Sequence, residues 1–428
     1  MRRSLIKFLS CTSVRWRSVQ AQVQPNGSGG DNAIDPEWAT AKPYECIPGL
    51  SVWQLFTGFS KGGRYAGLDL IELHYRLRED FGNLYRVPGV MGRPDVIMSF
   101  SPEDFEKIFR TEGQRPVRRS FDTMTYYRQQ IRPEIFGDMG GLVTSQGELW
   151  QKMRSISNPV LMHPKTVKVY LEQVDEVCRE FMTIMAKLRD DKHELPVDFN
   201  EWISRWALET TGVLALDTRL GVMHSKDSEG VGQRLVDVSS VGILYCLAKH
   251  PDKQARLREE LRTIMPSKDT PLTASMMSNL PYLRACIKEG IRLFPPTAGN
   301  FRATGRDMVL QGYRIPKDTD IAMGSLVLMR DENYFVRSKE FLPERWLNDR
   351  DADIPSAKDV NPFIFLPFGF GSRSCIGKRL AMMEMEVVLA RLVRQFHFRW
   401  NYEDYKVRTT VINLPGSPLR FEVRDVDD

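Results

Sequence analysis

Cys375 lies in a glycine-rich run, Phe365-Leu366-Pro367-Phe368-Gly369-Phe370-Gly371-Ser372-Arg373-Ser374-Cys375-Ile376-Gly377-Lys378, and a long helical pattern follows it. Gly369 and Gly371 permit backbone angles, or a close approach by a flat ligand, that other residues resist. Free N–H groups at the start of the following helix, with the helix dipole, favour a thiolate at Cys375. Arg373 adds a positive charge two residues away, and Phe368 offers a face for a large apolar ring.

None of the six cysteines, at 11, 46, 178, 246, 286 and 375, forms a CxxC pair, so zinc and thioredoxin chemistry are excluded. A thiolate offered alone suits the axial position of a haem iron. Taken singly, Cys375 reads better as a buried structural thiol. The full pattern Phe-x-x-Gly-x-Arg-x-Cys-x-Gly over 368–377 decides between the two. It resembles the haem-thiolate monooxygenases, the cytochromes P-450. The resemblance implies haem b with its iron held by Cys375, and contacts from Phe368, Arg373 and Gly377.

Other elements must position that loop. Gly147–Arg154 opens a helix on which Trp150 and Arg154 share a face. In the family such a pair holds a haem propionate, and a guanidinium fork matches a carboxylate in two parallel bonds. Arg302, entering a strand at Asn300-Phe301-Arg302, matches the second propionate-binding arginine. Glu289 and Arg292 lie three apart on the helical stretch Tyr282–Phe294, which Pro295-Pro296 ends. With Arg345 they resemble the buried triad that supports the cysteine loop. Such a triad is all-or-none, because a buried charge left unpaired is costly.

Upstream, Ala66–Glu79 has helical spacing, and Leu84–Val87 and Val96–Phe100 read as a hairpin. Ser101-Pro102-Glu103-Asp104 then caps a helix. Strong helical patterns cover Thr166–Leu188, Phe199–Ala215 and Val241–Met265, the last punctuated by His250-Pro251. Strand-like pieces follow around Phe398–Asn401, Thr409–Ile412 and Leu419–Val423, with a turn at Leu414-Pro415-Gly416-Ser417-Pro418. The run Leu216-Asp217-Thr218-Arg219-Leu220-Gly221 is similar to animal mitochondrial members, insect ones especially. The expected fold is mainly helical with small antiparallel β-sheets, an α+β class.

The formal net charge of +5 matches the five cations of residues 1–30, Arg2, Arg3, Lys7, Arg15 and Arg17, which face no acid there. The rest of the chain sums to zero and is no general polyanion binder. A basic, serine-rich, acid-free start suits a mitochondrial presequence over 1–30. The single haem domain is then 31–428, on the matrix side, either free or peripheral to the inner membrane. No run of eighteen apolar residues predicts a transmembrane helix. The resemblance further implies a ferredoxin partner, charged by an NADPH-dependent reductase, docking at Arg284, Lys288, Lys378 and Arg379.

The resemblance covers about 40–235 and 241–428, and breaks between them. The family places substrate-roof helices there, then a long helix over the haem with an acid beside an alcohol. Here Arg234-Leu235-Val236-Asp237-Val238-Ser239-Ser240 follows almost at once. Asp237 and Ser240 are the only nearby stand-ins for that proton relay. The join implies an internal deletion near 235–240, a P-450 without its roof. Three outcomes follow: a monooxygenase acting on an apolar, steroid-like or xenobiotic substrate, a haem-binding relic or splice form that consumes NADPH without hydroxylating, or a chain that never folds stably and has no activity.

Overall fold

A computed structural model describes residues 35–137, 140–225, 234–410 and 412–427. The expected hairpin forms from β1 (Leu84–Val87) and β2 (Val96–Ser99), with Leu84 opposite Ser99. Two further strands, β3 (Asn300–Ala303) and β6 (Asp320–Met323), complete a sheet of order β1-β2-β6-β3. Between them a tight hairpin pairs β4 (Met308–Leu310) with β5 (Tyr313–Ile315). The pair β2–β6 is parallel, so this sheet is mixed where an antiparallel one was expected. A parallel pair requires a long crossover, and most of the helices lie between β2 and β6 in the chain.

The helices follow from caps and apolar faces. Helix α1 (Val52–Phe59) and α2 (Leu70–Phe81) start with capping boxes at Ser51 and Asp69. The Oγ of Ser101 accepts the Asp104 N–H to start α3 (Pro102–Thr111), whose face Phe105, Ile108 and Phe109 packs on the sheet. The remaining long helices are α4 (Gly147–Leu161), α5 (Pro164–Leu188), α6 (Phe199–Leu216), α7 (Arg234–Lys249), α8 (Pro251–Ile264), α9 (Pro281–Leu293) and α10 (Lys378–Gln395).

The pattern over 241–265 belongs to two helices, because a proline pushes the residue before it out of the helical region and His250 sits between them at φ −126. At the C-terminal end, β7 (Phe396–Arg399) pairs with β10 (Glu422–Asp425), and β8 (Val407–Thr409) with β9 (Asn413–Pro415). Leu414 and Pro415 are therefore strand residues rather than turn, and the last strand starts later than expected.

One core is built from α5 to α10 with β7 and β10, and a second lies under the four-stranded sheet. Phe365, at the head of the cysteine run, packs against both. Helix α7 lies tight against α9. A Cβ on Gly242 would sit 2.4 Å from the Cβ of Phe294, and one on Gly290 would sit 2.4 Å from Ile243 Cγ1. Before α7, the Leu216–Gly221 run folds back on α6. The buried Glu209 accepts the N–H groups of Gly221 and Val222 and the Nε of Arg219.

Candidate haem site

The cysteine loop is closed by its own backbone. Cys375 N–H donates to Phe368 O at 2.7 Å, and Gly369 N–H to Leu366 O at 3.0 Å. Gly369 and Gly371 both take positive φ, +69° and +72°. Helix α10 begins at Lys378 with Gly377 as its cap, so Cys375 stands just ahead of the helix. Cys375 is exposed. Its surroundings still desolvate the thiol enough to raise its pKa; the Gly377 N–H and the charges of Arg154, Arg118 and Lys378 oppose that rise. A Cβ on Gly377 would lie 3.9 Å from the sulfur, an ordinary contact. Gly377 therefore acts through its N–H rather than through missing bulk.

Arg373 is buried, donating Nε to Pro116 O at 2.9 Å and Nη2 to Gln146 Oε1 at 2.7 Å. Trp150 lies beneath it, the guanidinium carbon 3.9 Å from the ring centre. The sequence joined Trp150 to Arg154; the structure stacks it on Arg373. Arg154 donates Nη2 to Ser374 O at 2.8 Å, next to the cysteine. Arg302 on β3 binds Glu112 at 2.6 Å and donates Nη2 to Phe370 O at 3.3 Å. Phe368 packs on the helical core.

A fourth cation, Arg118, escaped the sequence reading. It follows α3 in an irregular segment and donates Nη2 to Val143 O at 3.1 Å. Burial, then the charges of Arg302 and Arg154, depress it to about 10, against the pull of Cys375. Arg373 falls to about 9 through burial, Arg118 and Arg302, with Glu112 opposing. Four guanidiniums thus share one neighbourhood, and Glu112 pairs with one of them, Arg302, and acts through its charge on a second, Arg373. The buried Nε atoms of Arg118 and Arg154 have no acceptor. Buried donors call for partners. A group bringing two carboxylates to a thiolate would supply them, and haem b is such a group.

Behind the loop, Glu289 on α9 is fully buried and accepts from Arg292 Nη2 (2.8 Å), Arg345 Nε (3.0 Å), Trp346 Nε1 (2.9 Å) and Leu342 N (3.1 Å). The expected triad is therefore formed, with an indole added.

The expected docking cations divide. Lys288 is depressed by burial, then by Arg284, Lys378 and Lys358, which draws those four together. Arg284, however, donates to Glu386 at 3.0 Å and to the carbonyls of Met277 and Ser278. It is tied into the fold rather than presented as a loose charge. Arg379 is exposed. Of the relay stand-ins, Ser240 is buried on α7, and the Asp237 side chain lies outside the described residues.

A family model described as Cytochrome P450 matches residues 51–241 and 236–412. The chain belongs to the cytochrome P450 family. Its members are monooxygenase enzymes whose haem iron is ligated by a cysteine thiolate. Among similar curated proteins, cytochrome P450 CYP12A2 of Musca domestica is 36% identical over 92% of this chain and 94% of its own length. Cytochrome P450 12b1, mitochondrial, of Drosophila acanthoptera is 38% identical over 86% of this chain and 87% of its own. Probable cytochrome P450 12a5, mitochondrial, of Drosophila melanogaster is 36% identical over 95% and 96%. The alignment with the Musca protein runs over 502 residues while using only 92% of a 428-residue chain. Roughly a hundred positions of that alignment therefore have no counterpart in this chain. The two family-model segments meet at 236–241, where the sequence reading put the break.

Proposed function

We propose that Cys375 holds the iron of haem b, with Arg118, Arg154, Arg302 and Arg373 taking up its propionates. The observation carrying this reading is the gathering of four guanidiniums at the cysteine loop, those of Arg154, Arg302 and Arg373 buried and that of Arg118 half-buried, with the Nε atoms of Arg118 and Arg154 lacking acceptors. Haem bound there supplies oxygen activation, one atom of O2 entering a C–H bond of an apolar substrate and the other leaving as water. The chain's own residues hold the thiolate, orient the ring by its carboxylates and keep the proximal side packed. The reduced, carbon-monoxide difference spectrum of the purified chain tests this reading. A thiolate-type spectrum that vanishes in Cys375→Ala is expected; the same spectrum in both proteins rejects the assignment.

Residues 1–30 act as a mitochondrial presequence in this reading, ahead of one haem domain over 31–428. The composition of that stretch and the mitochondrial names of two relatives support it. Among the described residues no helix is long and apolar enough to cross a membrane. A ferredoxin is the electron donor, and the clustering of Lys288, Lys378 and Lys358 near Arg284 supports a basic docking face. Fusion of residues 1–35 to a fluorescent reporter checks the address, and a cytosolic or secreted reporter rejects it.

A second reading is favoured by the positions of the Musca protein that this chain lacks, together with the meeting of the two family-model segments at 236–241. A distal side without its roof admits water, and electrons then leave as reduced oxygen rather than in product. Asp237 and Ser240 would be a poor relay, since they are three apart and Arg234-Leu235-Val236 precedes them instead of small residues. The ratio of product to NADPH consumed, with ferredoxin, reductase and a panel of steroid and xenobiotic substrates, separates the two. A ratio near one supports monooxygenation; NADPH consumed without product supports the second reading.

A further inference from the structure

Glu112 ends α3 in the middle of the arginine cluster. Its Oε2 accepts from Arg302 Nε at 2.6 Å, and both side chains are almost fully buried. Its Oε1 is buried with no donor. That oxygen faces the cysteine loop closely, since a Cβ on Gly371 would lie 2.3 Å from it. Arg302 spans the gap, reaching Phe370 O on the same loop and lying with its guanidinium carbon 5.2 Å from the Phe109 ring centre. The carboxylate thus touches the propionate arginine on one side and the thiolate loop on the other. A buried acceptor left without a donor is a standing cost to folding. The packing of α3 alone gives no reason to keep it.

We propose that Glu112 is a positioning residue for the haem: it clamps Arg302 against the cysteine loop, and its negative charge sets how readily the iron accepts an electron. The clamp follows from geometry. A long guanidinium arm has many rotamers, and fixing its Nε leaves the fork pre-organised for a carboxylate. The charge follows from Coulomb's law in a poorly solvated site. A fixed anion near the haem stabilises the ferric over the ferrous state, so losing it moves the midpoint potential upward.

Two variants separate charge from clamp, in the full chain loaded with haem b. Glu112→Gln keeps the shape and removes the charge. Its midpoint, read by a mediated spectroscopic redox titration, is expected to move to more positive potential. Glu112→Asp keeps the charge and shortens the arm. It is expected to hold a near wild-type midpoint and to lose haem to apomyoglobin several-fold faster. Thermal unfolding of the haem-free forms controls for folding. A wild-type midpoint in Glu112→Gln overturns the proposal, and so does a wild-type transfer rate in Glu112→Asp. The second result decides alone if Glu112→Gln does not fold. The inference rests on the haem reading, and the two fail differently. A wild-type chain without a thiolate-type spectrum sinks both; one with the spectrum and an indifferent Glu112→Gln sinks only this one.

Discussion

The guanidinium of Arg373 lies over the indole of Trp150, 3.9 Å from the ring centre, and both side chains are buried. An aromatic face attracts a cation most where water is absent. Trp150 therefore holds the arginine two residues from Cys375 in place from a different helix. Trp150→Ala should cost about 3–5 kcal/mol of stability by leaving a cavity. Haem should also pass to apomyoglobin about tenfold faster, from roughly 1–2 kcal/mol of lost cation–ring attraction. Trp150→Phe keeps a ring and should recover most of the retention. Denaturant unfolding and haem-transfer kinetics measure the two effects.

The Glu289 triad makes a sharper demand. Arg345 is 1% exposed and Glu289 fully buried, so salt cannot screen their contact. Arg345→Ala strips Glu289 of one partner and should destabilise by about 3–5 kcal/mol. Denaturant midpoints at low and high ionic strength should fall by the same amount. A deficit that salt abolishes would place the pair at the surface.

Glu384 on α10 gives a pH dependence. Burial raises its carboxyl to about 7, against the opposing Thr210 hydroxyl at 2.6 Å. A folded value above the unfolded one means the native state binds the extra proton. Its stabilising contribution is full below about 4.5 and is lost as pH rises through about 7. The span corresponds to roughly 3 kcal/mol. Unfolding midpoints between pH 5 and 8 should decline in the wild type and flatten in Glu384→Gln. Parallel profiles would show that Glu384 does not titrate in this window.

The basic face can be tested without breaking the fold. Lys288→Glu with Lys378→Glu should slow ferredoxin-dependent reduction and weaken its salt dependence, because steering charges act mainly on association. Arg284→Glu should instead lower the unfolding midpoint, since it places an acid against Glu386. Stopped-flow reduction over a salt series, set beside thermal melts, distinguishes docking from structural cations.

What the sequence made legible followed from local rules. Ser101-Pro102 announced the start of α3, and Pro251 the break at His250. Patterned residues around one cysteine located the loop. Long-range geometry stayed hidden. Arg118 carries no helical or strand spacing, and its place near Cys375 depends on the segment after α3 crossing to the loop. Trp150 and Arg154 share a face of α4, but which one meets Arg373 is a matter of packing between elements. The parallel β2–β6 pair joins segments far apart in the chain, and no periodicity within either strand encodes its neighbour's direction. Arg284 looked like a surface charge because Glu386 lies on another helix.

The imbalance of four guanidiniums against Glu112 reaches beyond binding. Like charges gathered without counter-ions repel, so a ligand that neutralises them stabilises the native form. Whatever binds only the native form also shifts the population away from unfolded species, which are what proteases degrade. Cellular abundance of this protein should therefore track haem supply: synthesis without haem yields short-lived chains, and the pocket itself serves as the checkpoint on which molecules survive.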